Sequence, residues 1–166
     1  MLRLQRGFTL IEVLISILVL SVGVLGVTGL QLIALDANRD ALLRSEANQL
    51  ANDIVDRIEV NSNTAYGPVN LGDAPPAGAV DCVANACTPV QMRDYDLAVW
   101  MCSVNPFTGA GVLYNVCANT LGVDGSRFLP NGQASLSING SEYTVVVAWR
   151  SARASQTSSV TMVFQI

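Results

Sequence analysis

The sequence predicts an α+β fold: a long N-terminal helix, transmembrane in its first half and amphipathic in its second, packed on a small antiparallel sheet, with a second short helix. Three observations carry this. An apolar run with a single charge opens the chain, a helical apolar stripe continues it, and the last third alternates at period two around an Asn-Gly dipeptide.

The run from Phe8 to Leu35 is 28 residues long, and Glu12 is its only charge. At ~1.5 Å rise per residue it extends about 42 Å, enough to cross a hydrocarbon core of ~30 Å with tilt. A secretory signal peptide would have an apolar core of only about 7–15 residues and a small-residue cleavage site. Neither fits, since Val27-Thr28-Gly29 is a poor site of that kind. Arg3 and Arg6 precede the run, so the positive-inside rule keeps the N-terminus in the cytoplasm and exports the chain beyond Leu35. Glu12 is costly there, by about 2.5–3.5 kcal/mol for an acid at the centre of an inserted helix, and marks a functional site with a charged partner. Its competing explanation is snorkelling to the nearby headgroups. Gly23, Gly26 and Gly29 each weaken the helix by about 1 kcal/mol relative to Ala. They suit either a segment that loosens on packing or close helix–helix contact.

From Asp36 to Val60 the pattern turns amphipathic, with Leu43, Ala47, Leu50, Ile54 and Ile58 forming one stripe. Asp40–Arg44 and Asp53–Arg57 read as i, i+4 pairs on a solvated outer face. One helix from Phe8 to about Val60 would span roughly 80 Å. Asn61-Ser62-Asn63-Thr64 and Gly67-Pro68 end it.

A loop rich in small and turn residues comes next, from Gly67 to Ala86, including Pro75-Pro76. Thr88 then caps a second helix, with Pro89 at its first position and Gln91 completing a capping box. Met92, Tyr95, Val99 and Cys102 repeat at helical spacing, widened by Leu97, Trp100 and Met101, and read as core; Asn105-Pro106 stops the helix. Ala134–Ile138, Asn139-Gly140 and Glu142–Trp149 predict a hairpin with a type I′ turn, its larger residues Tyr143, Val145, Val147 and Trp149 facing the core. A last strand covers Ser158 to Ile166, after a polar link from Ser151 to Thr157. The hairpin turn fully accounts for Asn139-Gly140-Ser141, which matches a glycosylation sequon by letters alone.

Four cysteines in an exported domain suggest disulfides. A helix over 89–103 separates Cys87 from Cys102 by about 22 Å, beyond the ~7 Å limit for bridged Cα atoms. Two connectivities remain: Cys82–Cys87 with Cys102–Cys117, or Cys82–Cys102 with Cys87–Cys117. The first is preferred because its loops are local and close cheaply. The chain has no His, no Lys and no C-x2-C pair. Zinc, redox catalysis, an imidazole base and a Walker lysine are therefore not expected, nor is any cofactor. A net charge of −4, or −6 without Arg3 and Arg6, argues against a general nucleic-acid field, though Arg150 and Arg153 make a small basic patch.

The stretch Gly7-Phe8-Thr9-Leu10-Ile11-Glu12-Val13-Leu14 resembles the leader junction of type IV prepilins and type II secretion pseudopilins. Val22-Gly23-Val24-Leu25-Gly26 and Gly29-Leu30-Gln31 are similar to the PilV group of minor pilins. The resemblance implies a pilin-like fold and chemistry done on this chain rather than by it, so no enzyme. A prepilin peptidase would cut between Gly7 and Phe8 and methylate the Phe8 amine. Glu12 would pair with the amine of a neighbouring subunit during assembly. Independently of the resemblance, an unpaired buried carboxylate costs about 3–5 kcal/mol, and a cut amine at Phe8 lies at the depth to relieve it. The implied layout is a leader over 1–7, a membrane helix over 8–35, its exported half over 36–61 and a periplasmic head over 62–166. Implied partners are other minor pilins, the major pilin, the peptidase and an inner-membrane assembly platform, in a filament used for twitching motility or adhesion. A minor pseudopilin or a tip-exposed adhesin shares the same motifs.

Overall fold

A computed structural model describes residues 7–126, 128–151 and 156–166. Arg3 and Arg6 of the leader, and Arg153 of the basic patch, lie outside the described residues. The chain divides into two compact units, Met1–Arg39 and Asp40–Ile166. Its elements are helix α1 (Leu10–Val60), helix α2 (Pro89–Val104), one π-helical turn (Val116–Thr120), and strands β1 (Gln133–Asn139), β2 (Glu142–Arg150) and β3 (Thr157–Gln165).

In the first unit, α1 starts two residues later than the apolar run. The Thr9 carbonyl accepts from the amides of Glu12 (3.1 Å) and Val13 (3.3 Å), which leaves Gly7 and Phe8 outside the helix. Its best 18-residue window has a mean hydropathy of 2.6, and none of that window is buried within the chain. A core helix of comparable hydropathy would be mostly buried. Gly23, Gly26 and Gly29 do not break the helix, and nothing stands within 4 Å of where a Cβ would be.

The second unit is a two-layer head. The end of α1 buries Ala47, Ala51, Ile54 and Ile58 against one face of the sheet, with Leu43 and Leu50 partly covered. Each fully buried Ile contributes about 1.5–3 kcal/mol relative to exposure. The sheet order is β1-β2-β3, antiparallel throughout. Register places Ala134 opposite Val147, Leu136 opposite Val145 and Ile138 opposite Tyr143, so period two puts these side chains on the face toward α1. Val147 pairs with Val160 and Tyr143 with Phe164, whose rings stack at 5.3 Å. Val69 bridges to Leu136, each amide donating to the other's carbonyl (2.8 and 2.9 Å), and so occupies part of the outer edge of β1.

The hairpin turn is not the expected one. Asn139 pairs with Glu142, so the loop residues are Gly140 and Ser141, and of these only Gly140 has a positive φ (65°). That is the type II′ pattern. A type I′ turn at Asn139-Gly140 would need positive φ at both residues and would take Asn139 out of the ladder. The observed register pairs all seven residues of β1 and needs one glycine.

Helix α2 has the expected start: the Gln91 amide donates to Thr88 Oγ1 (3.3 Å) and the Thr88 amide donates to Gln91 Oε1 (2.9 Å). Its apolar stripe is displaced from the one the spacing predicts. Leu97, Trp100, Met101 and Val104 enter the main core, while Ala98 and Cys102 enter a smaller cluster with Ala79, Val116 and Cys117. Met92, Tyr95 and Val99 are only half-buried. A helix covered from two sides has no single stripe, so a one-face reading misplaces its centre. The disulfides are Cys82–Cys87 and Cys102–Cys117, each with Cα atoms 5.6 Å apart.

Candidate functional site

The first described residues are exposed. Gly7 and Phe8 precede the helix, nothing lies within 4 Å of a Cβ at Gly7, and Phe8 is 83% exposed. A peptide bond here is accessible and unshielded by helical hydrogen bonds. Glu12 falls in the first turn of α1, where the unpaired amides carry partial positive charge and favour a carboxylate. Its side chain is exposed, and its carbonyl accepts from Ser16 Oγ at 2.7 Å. Phe8, Glu12, Ser16 and Leu20 recur every fourth residue and, with Val13 and Ile17, line one shallow hollow of about 350 Å³. The hollow thus puts the only charge of the run beside the residue at its head, which precedes the helix.

A second polar constellation lies within the head, and the sequence pattern did not reveal it. Asp96 is only 4% exposed, in the middle of the buried face of α2. Arg57 Nη1 donates to Asp96 Oδ1 at 3.0 Å, and the Tyr66 hydroxyl donates to Asp96 Oδ2 at 2.5 Å. Arg57 Nε also donates to Asp53 Oδ2 at 2.9 Å. The Asp53–Arg57 pair is therefore not part of a solvated outer face: its arginine turns inward and clamps α1 to α2. Burial alone would lower the Arg57 pKa, but its bonds to Asp53 and Asp96 outweigh this and raise it. Burial, then the hydrogen bond to Asp96, pushes the Tyr66 phenol well above its usual range. Asn61 Nδ2 completes the tie by donating to the Pro89 carbonyl (2.9 Å). No local signal singled out Asp96, which follows the charged residues Arg93 and Asp94 in the same helix.

Asp40 Oδ1 accepts from Ser151 Oγ (3.0 Å), joining the beginning of this unit's helical segment to the end of β2. Arg150 is exposed, and its amide donates to the Pro130 carbonyl. Among the described residues no group of three His, Cys, Asp or Glu is placed to hold a metal ion. The tight arrangement of Arg57, Tyr66 and Asp96 leaves each partner engaged with the others, so it is a structural tie.

Two comparisons with protein families bear on this arrangement. Residues 2–28 match the prokaryotic N-terminal methylation motif, and residues 29–98 match the family described as type IV pilin Tt1218. Over these residues the chain is similar to type IV pilins and to their N-terminal methylation motif. The two matches adjoin without overlap, and they take in α1 and the first half of α2. Comparison with curated proteins and with solved structures gave no match. The pilin family that residues 29–98 match is one of structural, non-enzymatic proteins. The chain's motif and its apolar helix are consistent with residence in the inner membrane and then in a pilus. The pilin family also implies prepilin peptidase processing and pilus partners.

Proposed function

We propose that this pilin-like chain is a minor pilin, most similar to the PilV group, which enters a type IV pilus and primes or caps it. The observation that carries this reading is Glu12, the single charge of the apolar helix, beside Phe8 in one hollow and within the methylation motif. In this reading the leader over 1–7 stays cytoplasmic, 8–35 spans the inner membrane, 36–61 continues the helix outside, and 62–166 forms the periplasmic head. The peptidase cuts between Gly7 and Phe8 and methylates the new amine. The Glu12 carboxylate takes the amine of a neighbouring subunit as its counter-ion, and that pairing sets the axial position of each added helix. The assembly platform and other minor pilins are the partners during insertion, and the major pilin is added after them.

Mass spectrometry of pili sheared from cells tests this reading. The expected result is an N-methylated peptide beginning at Phe8, far less abundant than the main subunit. A mature peptide found only in membranes would favour a pseudopilin or a basal assembly role. An uncut N-terminus would overturn the reading.

A further inference from the structure

The i, i+4 pair that spacing predicts between Asp40 and Arg44 does not form. Asp40 Oδ1 accepts from Ser151 Oγ (3.0 Å), and the Arg44 guanidinium makes no ion pair or hydrogen bond among the described residues. Arg57 and Arg93, by contrast, are both held by carboxylates. Arg44 lines a hollow of about 530 Å³ with Asp40 and Ala41 on the same helix and with Trp149, Ser158 and Ser159 on the sheet. All six belong to the Asp40–Ile166 unit.

Trp149 and Ser158 are register partners in β2 and β3, and period two turns both side chains toward α1. Trp149 is only 3% exposed, yet its indole N–H donates to nothing among the described residues, and the Ser158 hydroxyl has no partner either. The Trp100 N–H is sealed in the core without a partner; that of Trp149 is not sealed, and the hollow is the open space that Trp149 borders.

The chemistry of these groups selects a ligand. Guanidinium and indole offer donors only, and a hydroxyl adds one more. Such a set suits an oxyanion, and a guanidinium matches phosphate through two parallel bonds. The Asp40 carboxylate lines the same hollow and repels a dianion more than a monoanion, which favours a phosphodiester over free phosphate. Position supplies the source. In sequence Arg44 comes nine residues after Leu35, where the apolar run stops. At ~1.5 Å per residue that is about 14 Å of helix, and helical side chains lean toward the N-terminal end. The headgroup layer adds roughly 5–8 Å to each side of the hydrocarbon core, and a long arginine snorkels across much of the difference. We propose that this hollow holds the phosphodiester of an anionic membrane phospholipid, with Arg44, the Trp149 N–H and Ser158 as donors. The inference rests on the proposed membrane placement of 8–35 and goes beyond it by giving the head a lipid ligand.

The test uses the full-length, uncut chain in maltoside micelles, so neither cleavage nor pilus entry enters the readout. Protection of the apolar run from protease in vesicles reports its membrane placement separately. With isotope-labelled tryptophan, Trp100 and Trp149 give the only two indole N–H resonances. Adding phosphatidylglycerol to the micelles should shift the Trp149 resonance and leave that of Trp100 in place. Arg44→Gln, at an exposed position, should weaken the response by about tenfold or more, the loss of one charge-assisted hydrogen bond. Arg150→Gln, at an exposed arginine outside the hollow, should leave it unchanged. No shift at Trp149, an equal shift from diacylglycerol or from inorganic phosphate, an undiminished response in Arg44→Gln, or an equal loss in Arg150→Gln would each overturn the proposal.

Discussion

The clamp of Arg57, Asp96 and Tyr66 gives the sharpest test of what holds α1 in the head. Arg57→Met keeps the aliphatic stem but leaves the 4%-exposed Asp96 carboxylate with only the Tyr66 hydroxyl. Removing one partner of a buried ion pair costs about 3–5 kcal/mol. Asp96→Asn keeps the shape and an acceptor for Tyr66. Arg57 then retains Asp53 at 2.9 Å and a side chain 28% exposed to water, so the loss is one charge-assisted bond, about 1.5–3 kcal/mol. In the double variant no buried carboxylate remains, and its cost should fall short of the summed single costs by about 1.5 kcal/mol or more. Urea unfolding of the full-length chain in micelles, monitored by fluorescence, reads this directly. The only two tryptophans, Trp100 and Trp149, are both buried in the head. Additivity within about 0.5 kcal/mol would refute the argument, since independent sites add to that precision.

Four further outcomes are expected. The folded-state pKa of Tyr66 is raised above its unfolded value of about 10, so its contribution is complete below that pH and is lost as pH rises toward the folded value; alkaline unfolding curves should show this loss, and Tyr66→Phe should reduce it. Replacing the pair Cys102 and Cys117 by Ala opens a loop with a sequence separation of 15 and should cost about 3 kcal/mol, against about 2 kcal/mol for Cys82 and Cys87 at a separation of 5, measured as urea midpoints. At Gly132 a Cβ would stand 2.4 Å from the Val104 carbonyl oxygen, a backbone atom, so Gly132→Ala should destabilise the head by about 1–3 kcal/mol in the same assay. Glu12→Leu should still insert and be cleaved, as judged by the mass of the membrane form, yet be lost from sheared pili; unimpaired incorporation would remove the pairing role of Glu12.

Much of this molecule was legible where a single physical rule dominates. The capping box at Thr88 and Gln91, the stripe ending at Ile54 and Ile58, and the alternation in β2 each depend on local spacing, and each is where that spacing puts it. Errors arose where two rules compete. The Asn-Gly pair favours a turn centred on itself, but pairing all of β1 moves the turn one residue on. Likewise α2 serves two clusters, so its widest apolar face is not the one that Met92, Tyr95 and Val99 suggest. Arg57 was assigned to solvent because its near partner, Asp53, is visible in sequence; its other partner, 39 positions away, is not. Glu12 stood out because nothing local competes with it.

The disulfides also have a mechanical consequence. When a chain is pulled from its ends, a covalent shortcut hides contour length from the load. The bridges enclose separations of 5 and 15 residues, roughly 70 Å of extended chain at ~3.3–3.6 Å per residue. Under tension the segment around Val116 and Cys117 would stay gathered after the sheet had come apart, leaving a compact knot from which refolding could restart. Single-molecule stretching before and after reduction would reveal that hidden length as a difference in full extension.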